Sequence, residues 1–141
     1  MRREHKFEML EHTADVGVIG RGPTMADAFE SVAYGMFSIM ADLQRYQPTA
    51  LRQVSAAGSD EVELLQSFLS QLIILFDAEG VLPLEFEITQ ISLGRLTCRV
   101  RVRTMGPDIE WLGPSIKAVT YHQMVVESKD SEWRAQAIFD V

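Results

Sequence analysis

Leu84-Glu85-Phe86-Glu87-Ile88-Thr89, followed after Ser92-Leu93-Gly94-Arg95 by Leu96-Thr97-Cys98-Arg99-Val100-Arg101-Val102-Arg103, is the stretch that decides the fold class. Apolar and polar residues alternate in both runs, the period of a strand that buries one face. Ser92 to Arg95 carries the glycine and small polar residues of a hairpin turn. An antiparallel hairpin follows, with Leu84, Phe86, Ile88, Leu96, Cys98, Val100 and Val102 facing a core. Arg99, Arg101 and Arg103 fall on the other face, opposite Glu85 and Glu87. They read as a solvated row of cross-strand ion pairs, each contributing ~0.2–1 kcal/mol. A nucleic-acid stripe is the sharper alternative, and the facing carboxylates speak against it.

Upstream of the hairpin the period changes to that of helices. Asp60 stands as an N-cap with Glu63 three residues on. Leu64, Leu65, Phe68, Leu69, Leu72, Ile73, Leu75 and Phe76 then form a stripe broad enough for a deeply buried helix, and Gly80 ends it. Thr24, answered by Asp27, opens another helix over about 24–40, with Met25, Phe29, Val32, Met36, Phe37 and Met40 on its inner face. Phe7 to Leu10, Val16 to Arg21 and 51–57 read as strands, with a loop over 42–50. Gly17 and Gly20 mark a bulge or a close approach of another backbone. Downstream, 106–115 is a loop holding Trp111, which either tucks onto the core or anchors a partner. Ile116 to Glu127 reads as a strand, Lys129-Asp130-Ser131 as a turn, and Trp133, Ala135, Ala137 and Phe139 as one face of a last strand. The sum is a single α+β domain over 1–141, a mostly antiparallel β-sheet with two helices packed on one face.

Composition narrows the function. The chain has 141 residues, 47% hydrophobic and 23% charged, so it folds around a core. Lys and Arg number 13 against 20 Asp and Glu, a net charge of −7. That balance lacks the basic field by which a domain holds nucleic acid and suits a cation or a basic partner surface. Cys98 is the only cysteine, which excludes an internal disulfide and a thiolate zinc site; its register makes it a core residue. No apolar h-region follows the charged start and no run reaches the ~18 apolar residues of a membrane span. A cytoplasmic location without membrane contact is expected.

The chemistry concentrates at two places. Glu11-His12-Thr13-Ala14-Asp15 packs carboxylates, an imidazole and a hydroxyll into one polar knot, whose bland reading is a turn or N-cap. At the other end, Asp140 and the α-carboxylate of Val141 follow a strongly patterned strand. Carboxylates that close repel unless a positive charge lies between them. Asp15, Asp140 and the Val141 carboxylate would be three hard oxygen donors, a set suited to Ca²⁺ or Mg²⁺ rather than zinc. Spacing alone does not bring Asp15 to Asp140. A set of carboxylates with a divalent ion also suits a small metal-dependent phosphate-ester hydrolase, although no nucleophile or second carboxylate cluster is evident.

Four segments carry a resemblance: Glu11-His12-Thr13-Ala14-Asp15-Val16-Gly17; Ala28-Phe29-Glu30 with Gly35-Met36-Phe37; Ile116-Lys117-Ala118-Val119-Thr120-Tyr121-His122; and Ile138-Phe139-Asp140-Val141. Together, in this order and across essentially the whole chain, they resemble the archease family. The resemblance implies an α+β fold similar to the substrate domain of the Hsp33 redox chaperone. It implies a non-catalytic protein cofactor that activates an RtcB-type RNA ligase in tRNA splicing or RNA repair, promoting guanylylation and multiple turnover. RNA would be met only through the ligase, and DNA not at all. Archeases are also described as chaperones or modulators of RNA-modifying enzymes. By the same resemblance Asp15, Asp140 and the carboxylate of Val141 are metal ligands, Lys117 is the functional lysine of the third motif, and His122 and His12 match motif positions that would meet a partner or phosphate. Read without it, Lys117 is a solvated lysine and His122 a strand histidine bonded to a backbone carbonyl. The chain departs from the family pattern at Phe68-Leu69-Ser70-Gln71 and over 105–115, away from these ligands.

Overall fold

The computed structural model describes residues 4–11, 15–92 and 94–141. The elements are β1 (Lys6–Glu11), β2 (Asp15–Gly22), α1 (Met25–Ser38), β3 (Ala50–Ala57), α2 (Glu61–Glu79), β4 (Val81–Ser92), β5 (Arg95–Thr104), β6 (Ala118–Lys129) and β7 (Glu132–Asp140), with a single 3₁₀ turn at Leu43–Arg45. Every strand pairing described is antiparallel, as the hairpin-rich sequence requires, and the class is α+β.

The sheet is divided, however. β1-β2-β7-β6 form a four-stranded sheet and β3-β5-β4 a three-stranded one. The helices lie between them: α1 packs on β1, β2 and β7 of one sheet and on β4 of the other, while α2 packs on β3, β4 and β5 and also on β6. The expected single sheet with helices on one face is corrected accordingly. The physical reason is visible in α1, where Ala28 to Ala33 form an unbroken buried run that includes Glu30 and Ser31. A helix buried all round needs cover on both sides. Rings from both helices interleave in this middle layer, with Phe29 stacked on Phe68 and Phe37 on Phe86 of β4. The buried Glu30 carboxylate accepts the Ile88 N–H at 2.7 Å, tying α1 to β4 beside a register shift between Ile88 and Gln90.

Local signals set the helix ends. Thr24 Oγ1 accepts the Asp27 N–H at 3.1 Å and donates to the Asp27 carboxylate at 2.7 Å. Asp60 accepts the Glu63 N–H at 2.7 Å, and the Glu63 carboxylate takes the Ser59 hydroxyl at 2.9 Å. Each such cap contributes ~1 kcal/mol. Gly80, at φ 62°, closes α2 in the left-handed region that glycine adopts without steric cost. β4 begins at once with Val81 and runs through Pro83, which the sequence places before the strand. Pro83 is tolerated because β4 lies at a sheet edge and its register shifts between Pro83 and Glu85.

Gly20 marks a close approach and not a bulge, since β2 pairs without a register shift on either side. A Cβ there would lie 2.6 Å from the Ala28 carbonyl oxygen and 2.7 Å from Val32, so α1 rests directly on β2. The predicted ion pairs of the β4–β5 hairpin form only in part. Arg101 and Glu85 approach to 3.7 Å. Arg99 and Glu87 oppose each other in register without an ion pair, and Arg103 turns to Asp108. Trp111 stands edge-on to Phe76 while remaining half exposed, its loop tied down by Leu112 N–H to the Met40 carbonyl. No helix among the described residues is long and apolar enough to cross a membrane.

Candidate metal centre

β2 and β7 are neighbours, and their register sets Asp15 opposite Asp140. Residues directly opposed in an antiparallel pair share a face, with Cβ atoms ~4.5–5.5 Å apart. The adjacent pair, Val16 and Phe139, points the other way, and Phe139 is fully buried in the core. The two aspartates therefore stand together on the outer face of the four-stranded sheet, Asp140 exposed and Asp15 half-buried. The Lys117 N–H donates to the Asp140 carbonyl at 2.8 Å, and β6 starts at the next residue, Ala118, opposite Asp140. Three segments far apart in sequence thus converge at one end of one sheet. Val141 is half-buried and packs its side chain against the core, which pins the backbone just past Asp140.

The next row along the sheet is apolar except at Thr120. Leu10, Gly17, Ile138 and Thr120 lie in register across β1, β2, β7 and β6. Ile138 is only 1% exposed although it belongs to the outer face and not to the main core. It is covered because Gly17 has no side chain: a Cβ there would meet Ile138 Cδ1 at 2.6 Å and Leu10 Cβ at 3.1 Å. This floor borders the carboxylates with low-dielectric material, which strengthens electrostatic interactions on that side. Sequence reading singled out Gly17 without assigning it to the site. The usable signal was its spacing, since Gly17 and Ile138 each lie two residues from an aspartate and share its face.

His122 lies on β6, as its sequence position predicts, at an irregular point. The pairing of β6 with β7 shifts register there. Thr120 pairs with Ile138 and Val125 with Gln136, so Tyr121 to Met124 stand against the single Ala137. Gln123 takes φ 54°, its carbonyl held at 2.8 Å by the Gln136 side-chain amide, and the His122 N–H donates to Thr120 Oγ1 at 3.2 Å. His122 sits exposed on this bulge, level with Ala137 and out of register with the aspartate pair. His12 lies outside the described residues.

No group of three His, Cys, Asp or Glu side chains able to hold a metal forms among the described residues. Asp15 and Asp140 supply two, and none of the ion pairs among the described residues includes them or Lys117. Two carboxylates facing each other without a cationic partner are costly when both are ionised. Hard oxygen donors in that arrangement fit a Ca²⁺ or Mg²⁺ ion that takes its remaining ligands from water, a terminal carboxylate or a partner.

The chain is similar to known proteins over nearly its whole length. The model of the Archease protein family (MTH1598/TM1083) matches residues 7–141. Protein archease of Thermococcus kodakarensis is 36% identical over 140 residues, covering 96% of this chain and 99% of that protein. Its counterpart in Thermococcus gammatolerans is 37% identical over 141 residues with the same coverage. The solution structure of Methanobacterium thermoautotrophicum protein 1598 superposes with a TM-score of 0.83 at 29% identity, covering 96% of this chain and 98% of that one. A Thermotoga maritima archease, described as a possible chaperone, shares the fold with a TM-score of 0.64 at 18% identity, covering 100% of this chain and 98% of that one. The chain belongs to the archease family.

Proposed function

We propose that this protein is a cytoplasmic, non-catalytic activator of an RtcB-type RNA ligase, acting through a divalent cation held by Asp15 and Asp140. The observation that carries the proposal is the register pairing of those two aspartates beside Lys117, which joins the first, third and fourth family motifs at one sheet end. The α-carboxylate of Val141 is the third donor in this reading. A Ca²⁺ or Mg²⁺ ion there would supply positive charge and open coordination positions on an exposed surface. Lys117 adds a point charge that can meet a phosphate. His122, presented by the β6 bulge, and His12 serve as partner or phosphate contacts. The hydrolase reading needs a base or nucleophile beside the ion, and turnover of a phosphate ester by the protein alone would favour it.

The test is ligase guanylylation and multiple-turnover joining, with and without this protein. The wild type is expected to stimulate both, and Asp15→Ala and Asp140→Ala to lose stimulation while melting like the wild type without metal. Calorimetric titration with Ca²⁺ or Mg²⁺ gives a readout independent of the ligase, in which each variant loses binding and extension past Val141 weakens it. A wild type that does not stimulate overturns the function; variants that stimulate fully overturn the site.

A further inference from the structure

We infer that the outer face of the three-stranded sheet binds the phosphodiester backbone of a single-stranded nucleic acid, along a lane between β3 and β5. The inference goes beyond the ligase reading and does not depend on it. On β5, Arg95, Thr97, Arg99, Arg101 and Arg103 alternate with the buried Leu96, Cys98, Val100 and Val102, so the arginine row has one gap, at Thr97. They therefore share one face, with successive outward positions about 6.7 Å apart along the strand, a repeat commensurate with one extended nucleotide. Both helices pack on the opposite face, so the arginine face is open.

The neighbours of this row differ on its two sides. Toward β4 stand Glu85 and Glu87, opposite Arg101 and Arg99. Toward β3 stand Leu51, Gln53 and Ser55, opposite Arg101, Arg99 and Thr97, all exposed and uncharged. Acidic groups thus border Arg99 and Arg101 on the β4 side only, the β3 side offers hydrogen-bonding side chains, and Arg103 at the end of the row is taken up by Asp108. The Arg95 and Arg99 guanidinium groups make no hydrogen bond or ion pair among the described residues, and Arg101 makes one long contact at 3.7 Å. An unpaired guanidinium presents a planar fork that matches phosphate.

A protein partner fits less well. Protein interfaces centre on aromatic and apolar anchors, and among the described residues this face offers only Leu51 as an exposed large apolar side chain. The same lack of rings removes base stacking. Contacts are therefore to phosphate, which carries no sequence information. The net charge of −7 repels a polyanion at a distance, so binding is weak and confined to low salt. The expectation of RNA contact only through a ligase followed from that net charge, which averages over faces that differ.

Fluorescence anisotropy of short labelled single-stranded RNA, and of DNA of the same sequence, tests the inference at low salt with the full chain and no ligase. Both probes should bind comparably. Three phosphate contacts predict a log–log salt slope of about −2. The double variant Arg95→Gln, Arg99→Gln should lose about tenfold in affinity with an unchanged melting temperature, and Arg134→Gln, on the other sheet, should bind as the wild type does. No binding by the wild type, or undiminished binding by the double variant, overturns the inference. So does poly-glutamate binding as tightly as RNA to the same arginines, which would assign the face to an acidic protein.

Discussion

The two sheets turn opposite chemistries to solvent. The outer face of β1-β2-β7-β6 ends in a pair of carboxylates over an apolar floor, while that of β3-β5-β4 carries a row of arginines. They also differ in how they are made. The arginine face comes from one local hairpin whose turn and alternation lie within a short run of sequence. The aspartate pair exists only because β2, near the start of the chain, docks in register beside β7, at its end. A local hairpin displays its face in the sequence, whereas a face assembled across the chain depends on which strands become neighbours.

The helix between the sheets offers the strongest way to break this comparison, because α1 is joined to each by a different contact. Against β2 the seam is steric, so Gly20→Ala, whose Cβ would meet the Ala28 carbonyl at 2.6 Å, is expected to cost about 3 kcal/mol in urea unfolding. The aspartate pair comes next. In saturating Ca²⁺, at about a hundredfold over Kd, Asp140→Asn should forfeit about 2.7 kcal/mol of metal-linked stability. In chelator it should melt no lower than the wild type, since a like-charge opposition is removed. A thermal melt in both conditions checks this, and a metal-independent loss would show Asp140 to be structural.

Against β4 the seam of α1 joins the stacked Phe37 and Phe86 to one polar tie, the Glu30 carboxylate on the Ile88 N–H. Glu30→Ala leaves the part-buried Ile88 N–H without this acceptor and should cost about 1–2 kcal/mol, with Glu30→Gln, which keeps an acceptor, costing less. Equal losses for the two substitutions would show that the charge and not the hydrogen bond matters. The smallest effects belong to the arginine face. Arg101→Ala should change stability by less than about 1 kcal/mol and Arg99→Ala by less still, because one pair is long and exposed and the other does not form. A larger loss from Arg99→Ala would mean that this face supports the fold.

Reading the sequence was most successful where the signal was local. Thr24 with Asp27, Asp60 with Glu63, Gly80, and the alternation of β5 and β7 each involve groups within a few residues of one another, so their chemistry is present in the sequence itself. It was weaker where two distant elements had to meet. The division into two sheets shows only faintly in the sequence, because α1 carries Glu30 and Ser31 inside its buried run and so looks more amphipathic than its surroundings make it. The bulge in β6 was invisible, since Tyr121-His122-Gln123-Met124 has no glycine or proline to announce it; it is held by Gln136 from the neighbouring strand.

By itself, then, the sequence determined the helices and their caps, the strands and their inner faces, the α+β class, and the motifs that mark the family. Each follows from side-chain periodicity or from a hydrogen bond made within a turn or two of its own backbone. Only the tertiary structure decided that Asp15 faces Asp140 with Lys117 alongside, that Ile138 closes over Gly17, and that Arg99 pairs with no other described residue. A strand's period of two fixes which face a residue takes but not which strand lies beside it. That neighbour is chosen by burial of Val18, Ala137 and Phe139 against the helices, a choice made by the whole core at once.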